Sequence, residues 1–187
     1  IIDSTRYYVL IQWEGSAKLV HESTHSYALI PNGKTLNVRV EYKELQPETQ
    51  GFSFAKSVIE VQKFWNSWWE TGAFVDFGDC KDVRAKELER RTVLSQYLTF
   101  INCANETPAQ ETGLTYNSWF GRPHLEMTWW HTIDFSLWNR PEVLETMLEW
   151  YNDKAYPEAK KIAERQNFKG IRWMKMTDPW AGESPSN

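Results

Sequence analysis

Three features are missing from this 187-residue sequence: a long apolar run, an excess of charge of one sign, and a cysteine-rich pattern. No stretch approaches the roughly 18 consecutive apolar residues of a membrane-spanning helix. The first residues, IIDSTRYYVLIQWEG, have neither the basic start nor the cleavage site of a signal peptide. The 25 acidic and 21 basic residues form no long run of either sign. We therefore expect neither a nucleic-acid nor a membrane partner.

The two cysteines, Cys80 and Cys103, lie in no spacing that is typical of a metal site. They could form one disulfide or remain thiols, and we favour free thiols. A zinc site built from His124, Glu126 and His131 is disfavoured, because the spacing is not H-E-x-x-H and no cysteine pair accompanies it. Since phosphate-binding loops, nucleophile elbows and Cys-His signatures are also missing, we predict no metal and no cofactor.

Tryptophan is the residue that this sequence has in excess. Aromatic residues make up 15% of the chain, which contains 11 tryptophans. Tryptophan combines a large apolar face with one N–H donor, so it suits both a core and a platform for amphipathic ligands. Seven of the tryptophans lie after residue 118, at positions 119, 129, 130, 138, 150, 173 and 180.

The first fifty residues have the two-residue period of β-strands. The run RYYVLIQW consists almost entirely of β-forming residues, and Leu36, Val38, Val40 and Tyr42 alternate with polar residues. Residues 31–33, PNG, indicate a turn. This portion predicts an antiparallel sheet that belongs to a β-sandwich.

Helical spacing replaces this period from residue 53 onward. The segment 53–72 predicts a connector helix that Gly72 ends. Residues 81–105 predict a long amphipathic helix with Leu94 and Leu98 on its apolar face.

Three more helices are predicted in the last third of the chain. Segment 124–138 is apolar on nearly all sides, so we expect other protein to surround it. The next helix follows Asn139 as its N-cap, with Glu142 three residues later. Another runs from about Pro157 to Asn167, and the remaining tail predicts a long loop.

The order of these segments carries a family resemblance. His124, Glu126 and Trp129 open one helix, Pro141-Glu142 starts the next, AKKIAERQNFKGIRW follows, and a Gly182-Glu183 pair closes the set. This order resembles the six-hairpin (α/α)6 glycosidases, in particular the clan of maltose and kojibiose phosphorylases. One departure concerns the inner helix, where the clan's FWDxE is replaced by LEMTWW and the carboxylate is displaced.

The resemblance implies an α+β multidomain chain: an antiparallel β-sandwich portion followed by helices of an incomplete (α/α)6 barrel. Residues 1–52 would end the sandwich domain, 53–82 would be the linker helix and connection, and 83–187 would begin the catalytic-type domain. Twelve barrel helices need on the order of 250 residues at ordinary helix lengths. Since both ends also look cut, we expect a fragment of a longer protein, with the general acid beyond residue 187.

The resemblance also implies a carbohydrate-active protein that hydrolyses or phosphorolyses glycosidic bonds of an oligosaccharide or polysaccharide, in the periplasm or outside the cell. Glycoside hydrolysis ordinarily uses two carboxylates, and Glu126 and Glu183 are the pair we nominate. This chain alone is expected to be inactive, and its oligomeric state is open. The predicted substrate-binding residues are Trp119, His124, Glu126, Trp129, Trp130, Trp173, Lys175 and Glu183.

Each of these assignments has an alternative. The tryptophans could be core residues, as we expect for Trp138 and Trp150. His131 and Asp134 share a helix face with His124, and we favour a buried hydrogen-bond network for them over sugar contacts. Gln110, Glu111 and Ser184 could be rim contacts or solvated loop residues. For the whole chain, the alternative is a non-catalytic carbohydrate-binding or interaction module.

Overall fold

The β-forming residues near the start of the chain fold into four antiparallel strands. The computed structural model describes residues 7–48 and 51–184. The strands are β1 (Tyr8–Glu14), β2 (Ala17–Ser23), β3 (Ser26–Pro31) and β4 (Asn37–Lys43).

These strands pair as two consecutive ladders of one two-stranded ribbon. Strand β1 pairs with β4 and β2 pairs with β3. The ladders are interrupted where residues 15–16 face residues 32–36, and the amide of Asn32 donates to the Ser16 carbonyl over 2.8 Å. Val38, Val40 and Tyr42 of β4 are exposed. The antiparallel pairing is thus confirmed, whereas the sandwich stays a prediction.

The helix predicted over residues 53–72 is confirmed as α1 (Phe54–Glu70), and its role as a connector stays a prediction. The Ser53 hydroxyl accepts a hydrogen bond from the Lys56 amide at 3.4 Å, which satisfies one amide that the first helical turn leaves unpaired. Helix α1 belongs to the first of two compact units, Ile1–Glu70, and the second is Thr71–Asn187.

The second unit contains four helices of ten or more residues among those described. They are α2 (Ala85–Cys103), α3 (Thr128–Leu137), α4 (Pro141–Trp150) and α5 (Tyr156–Arg165). Helix α3 contacts both α2 and α4. The buried side chains include Phe135, Met147, Trp150 and Ile162, whereas Leu94 and Leu98 on the predicted apolar face of α2 are 40% and 44% exposed. Strands followed by helices confirm a mixed α+β chain, and the incomplete barrel stays a prediction.

Helix α3 differs from its prediction in length and in burial. A short 3₁₀ turn, Leu125–Met127, precedes it, and the α-helix begins at Thr128 rather than at His124. Trp129 and Trp130 are 62% and 71% exposed. The expectation that other protein surrounds this helix is therefore wrong for one of its faces within this chain.

Two predictions about segment ends also need correction. Asn139 is not the N-cap of α4, because its backbone lies in the left-handed region (φ 56°) and Arg140 occupies the cap position. The tail is not a plain loop, since β5 (Met176–Thr177) pairs with β6 (Glu183–Ser184). Both strands have two residues, which is too short for any period to be recognised.

The turn between β5 and β6 is built on Asp178. One carboxylate oxygen of this residue accepts hydrogen bonds from the amides of Trp180 (2.9 Å) and Gly182 (2.8 Å). A Cβ atom on Gly182 would lie 2.7 Å from the other carboxylate oxygen, so glycine is required for this approach.

Both cysteines are free, with Cys80 exposed and Cys103 buried, which confirms the preferred prediction. Within residues 7–48 and 51–184, no helix is both long and apolar enough to cross a membrane.

Candidate functional site

The segment Pro123–Leu125 joins the two long loops of the second unit. On one side His124 donates its amide to the Ala109 carbonyl (3.5 Å), and Pro123 bridges to Gln110. On the other side, Leu125 donates its amide to the Lys175 carbonyl at 2.9 Å. Backbone hydrogen bonds thus bring residues from before α3 and from after α5 to the N-terminal end of α3.

A cavity of about 610 Å³ lies at this junction. Its volume is in the range of small-molecule sites. Apolar and aromatic side chains form much of its wall, and one carboxylate and one ammonium group form its polar part. The lining residues are Leu125, Glu126, Tyr151, Trp173, Met174 and Lys175.

The polar part of the cavity is an ion pair. Lys175 Nζ lies 3.4 Å from Glu126 Oε1, and both side chains are about half exposed, at 48% and 54%. An ion pair this exposed adds little stability. Its two charges cancel, so the cavity presents hydrogen-bonding groups without a net charge.

Trp119 flanks this ion pair in an unusual backbone turn. The Lys175 ammonium lies 5.9 Å from the centroid of the Trp119 ring, within cation–π range. Trp119, Phe120 and Gly121 have φ values of 47°, 61° and 68°. Bulky residues rarely adopt such left-handed values, which often mark functional positions.

His124 supports the cavity from inside the protein. It is 1% exposed, and its Nδ1 lies 3.1 Å from the Arg122 carbonyl oxygen. Its ring centroid is 5.9 Å from that of Trp119. His124 therefore holds the turn that presents Trp119, and it does not itself line the cavity.

The eight predicted binding residues thus separate into two sets. Five of them surround the cavity or support it: Trp119, His124, Glu126, Trp173 and Lys175. The structure does not bring the other three to the lining. Trp129 and Trp130 are exposed on α3, and Glu183 forms a 2.6 Å ion pair with Arg165 of α5.

The other residues of the polar helix face belong to the protein interior. His131 Nε2 lies 3.1 Å from the Glu111 carbonyl oxygen, and burial lowers the pKa of His131. Burial raises the pKa of the Asp134 carboxyl, because it disfavours the charged form of either group. The pKa of the Cys103 thiol is raised to about 11, first by burial and then by the negative charge of Asp134. Among the described residues, His131 Nδ1 and Asp134 Oδ1 have no hydrogen-bond partner, so the buried network between them stays a prediction.

Sequence reasoning missed Tyr151, which lines the cavity. Its position fits the apolar stripe of α4, so the sequence pattern assigns it to the core. The chain forms a π-helical turn over Tyr151–Ala155, between α4 and α5, and Tyr151 is its first residue, with ordinary helical dihedral angles (φ −64°, ψ −40°). Such turns recur at functional sites, but no periodicity in the sequence announces them.

Comparison with protein-family models, with curated proteins and with solved structures finds no match for this chain. Among the described residues, no group of three or more His, Cys, Asp or Glu side chains could hold a metal ion.

Proposed function

We propose that the cavity beside Trp173 binds a sugar, in a carbohydrate-active protein that acts on glycosidic bonds. The observation that carries this proposal is the composition of the wall. The rings of Tyr151 and Trp173 offer apolar faces, while Glu126 and Lys175 offer an acceptor and a donor. Sugars have apolar ring faces and hydroxyl edges, and this combination of groups matches both.

The arrangement of the second unit supports the finer proposal of a six-hairpin glycosidase fold. In such a barrel, the loops at one end of an inner helix form the substrate site. Here the segments before α3 and after α5 meet at the N-terminal end of α3. The β-strands, the connector helix and the successive helices also follow the expected order.

The cavity's charge balance indicates the class of sugar. Glu126 and Lys175 neutralise each other at 3.4 Å, so the site has no surplus cation to recognise a sugar acid. We therefore propose a neutral oligosaccharide, with Glu126 accepting a hydrogen bond from a hydroxyl group and Lys175 donating one.

The binding test compares two tryptophan variants by titration calorimetry against maltose, kojibiose and cellobiose. Trp173→Ala removes a wall of the cavity, whereas Trp180→Ala removes a 56% exposed ring outside the lining. Loss of this half-exposed stacking face is expected to weaken binding about tenfold, or roughly 1.4 kcal/mol. The proposal fails if none of the sugars binds the wild-type chain, or if both variants bind equally.

A second candidate is a non-catalytic carbohydrate-binding or interaction module. It is favoured by the surroundings of the two nominated carboxylates, since Glu126 is paired with Lys175 and Glu183 with Arg165. A general acid is usually held in a more apolar setting. Release of reducing sugar, or of sugar phosphate when phosphate is added, separates the candidates, because a module binds sugar without turnover.

A further inference from the structure

One residue of the cavity wall, Tyr151, lies at the place where α4 gives way to the π-helical turn, and its hydroxyl is hydrogen-bonded. Trp150, the last residue of α4, is 4% exposed and donates its indole N–H to the Pro179 carbonyl at 2.8 Å. The next residue, Tyr151, lines the cavity. Two consecutive aromatic side chains therefore lie in different surroundings, with Trp150 in the core and Tyr151 at the cavity wall.

The ring of Tyr151 is held between two indoles. Its centroid lies 5.2 Å from that of Trp150 and 5.6 Å from that of Trp173, and both pairs are edge-to-face. Such edge-to-face contacts stabilise the ring beyond the burial of its area. The Tyr151 hydroxyl is thereby held at a defined place, which is a requirement for reading one particular group of a ligand.

The Tyr151 hydroxyl is hydrogen-bonded to a second hydroxyl, that of Thr128. Its oxygen lies 2.8 Å from Thr128 Oγ1, at the start of α3. One hydrogen bond between two hydroxyls uses only one of their two hydrogens. The pair therefore still has a hydrogen to donate and lone pairs to accept with, as a sugar hydroxyl would require.

We propose that Tyr151, positioned by its contacts with Trp150 and Trp173 and by Thr128, is a specificity-determining residue that recognises one ligand hydroxyl. This inference rests on the proposed sugar-binding function.

The test combines protein variants with ligands that lack single hydroxyls. Tyr151→Phe removes the hydroxyl and keeps the ring, and Tyr156→Phe is the matched control on an exposed tyrosine of α5. Maltose and its singly deoxygenated analogues are the probes, with dissociation constants measured by calorimetry. We expect Tyr151→Phe to weaken maltose binding about tenfold, and Tyr156→Phe to leave it unchanged.

The decisive result is a match between one lost protein hydroxyl and one lost sugar hydroxyl. One deoxymaltose should bind wild type and Tyr151→Phe equally, while the other analogues should still distinguish the two proteins. A purely structural tyrosine would weaken every analogue by the same factor, and that outcome overturns the inference. Unchanged maltose binding by Tyr151→Phe overturns it too, while wild-type binding upholds the sugar site. If the wild-type protein does not bind maltose, the inference about Tyr151 is overturned. In that case, binding of kojibiose or cellobiose would still uphold the proposed sugar site.

Discussion

Replacing Gly72 by alanine tests how the helical unit is held together. Gly72 has φ 76°, and an added Cβ would lie 2.6 Å from Cζ of Arg140. The Arg140 side chain is 2% exposed, and its guanidinium donates to the carbonyl (2.8 Å) and the hydroxyl (3.1 Å) of Thr71. Because this group is buried and hydrogen-bonded, it has little room to retreat from a methyl group.

Two costs add up in Gly72→Ala. The left-handed backbone costs an alanine about 1 kcal/mol relative to glycine. Displacing the guanidinium weakens hydrogen bonds to a charged group, which are worth about 1.5–3 kcal/mol each. We therefore expect the free energy of unfolding to fall by about 3 kcal/mol. For a chain of this size, that lowers the melting temperature by roughly 6–12 °C.

The assay is thermal and urea unfolding monitored by circular dichroism, with Gly170→Ala as the control. Gly170 has φ 89°, but nothing lies within 4 Å of its added Cβ. It therefore incurs the backbone cost of about 1 kcal/mol without the collision. If the two variants lose the same stability, the buried Arg140 contact does not have the importance assigned to it here.

Two further predictions concern ionisable groups in the same unit. Iodoacetamide at pH 8 should label the exposed Cys80 and spare Cys103 until urea unfolds the chain. The Cys103 thiol is buried and its pKa is about 11, so little reactive thiolate is present. Equal labelling of both cysteines in the folded protein would contradict this. Burial lowers the pKa of His131 in the folded protein below its value in the unfolded chain. As the pH drops below about 6.5, the unfolded chain therefore takes up a proton that the folded protein does not, and the free energy of unfolding falls. His131→Gln should make the urea-unfolding free energy less dependent on pH between 7.5 and 5.5, and an unchanged slope would show that His131 does not contribute.

The elements with a sustained period were predictable from the sequence. The alternation of Val38, Val40 and Tyr42 identified strand β4, and the spacing of Leu94 and Leu98 identified helix α2. These patterns depend on neighbours along the chain, which is why they can be read without a structure. Elements shorter than one period, such as β5 and β6, left no such pattern.

Parts of the candidate site were also suggested by residue type. Trp119, Trp173 and Lys175 were chosen because they lie in predicted loops, and Glu126 because it lies at the predicted start of a helix beside a loop. The structure places all four around one cavity. His124 was chosen for the same reason as Glu126, yet it is 1% exposed beneath the Trp119 turn.

The sequence by itself determined the order of strands and helices, the lack of a long apolar segment and the aromatic character of the last third. The tertiary structure decided which aromatic residues share a cavity. It placed Tyr151 at the wall and left Trp129 exposed on α3. The physical reason is range: periodicity reports contacts within an element, whereas the cavity depends on backbone hydrogen bonds between segments about fifty residues apart, such as Leu125 with Lys175.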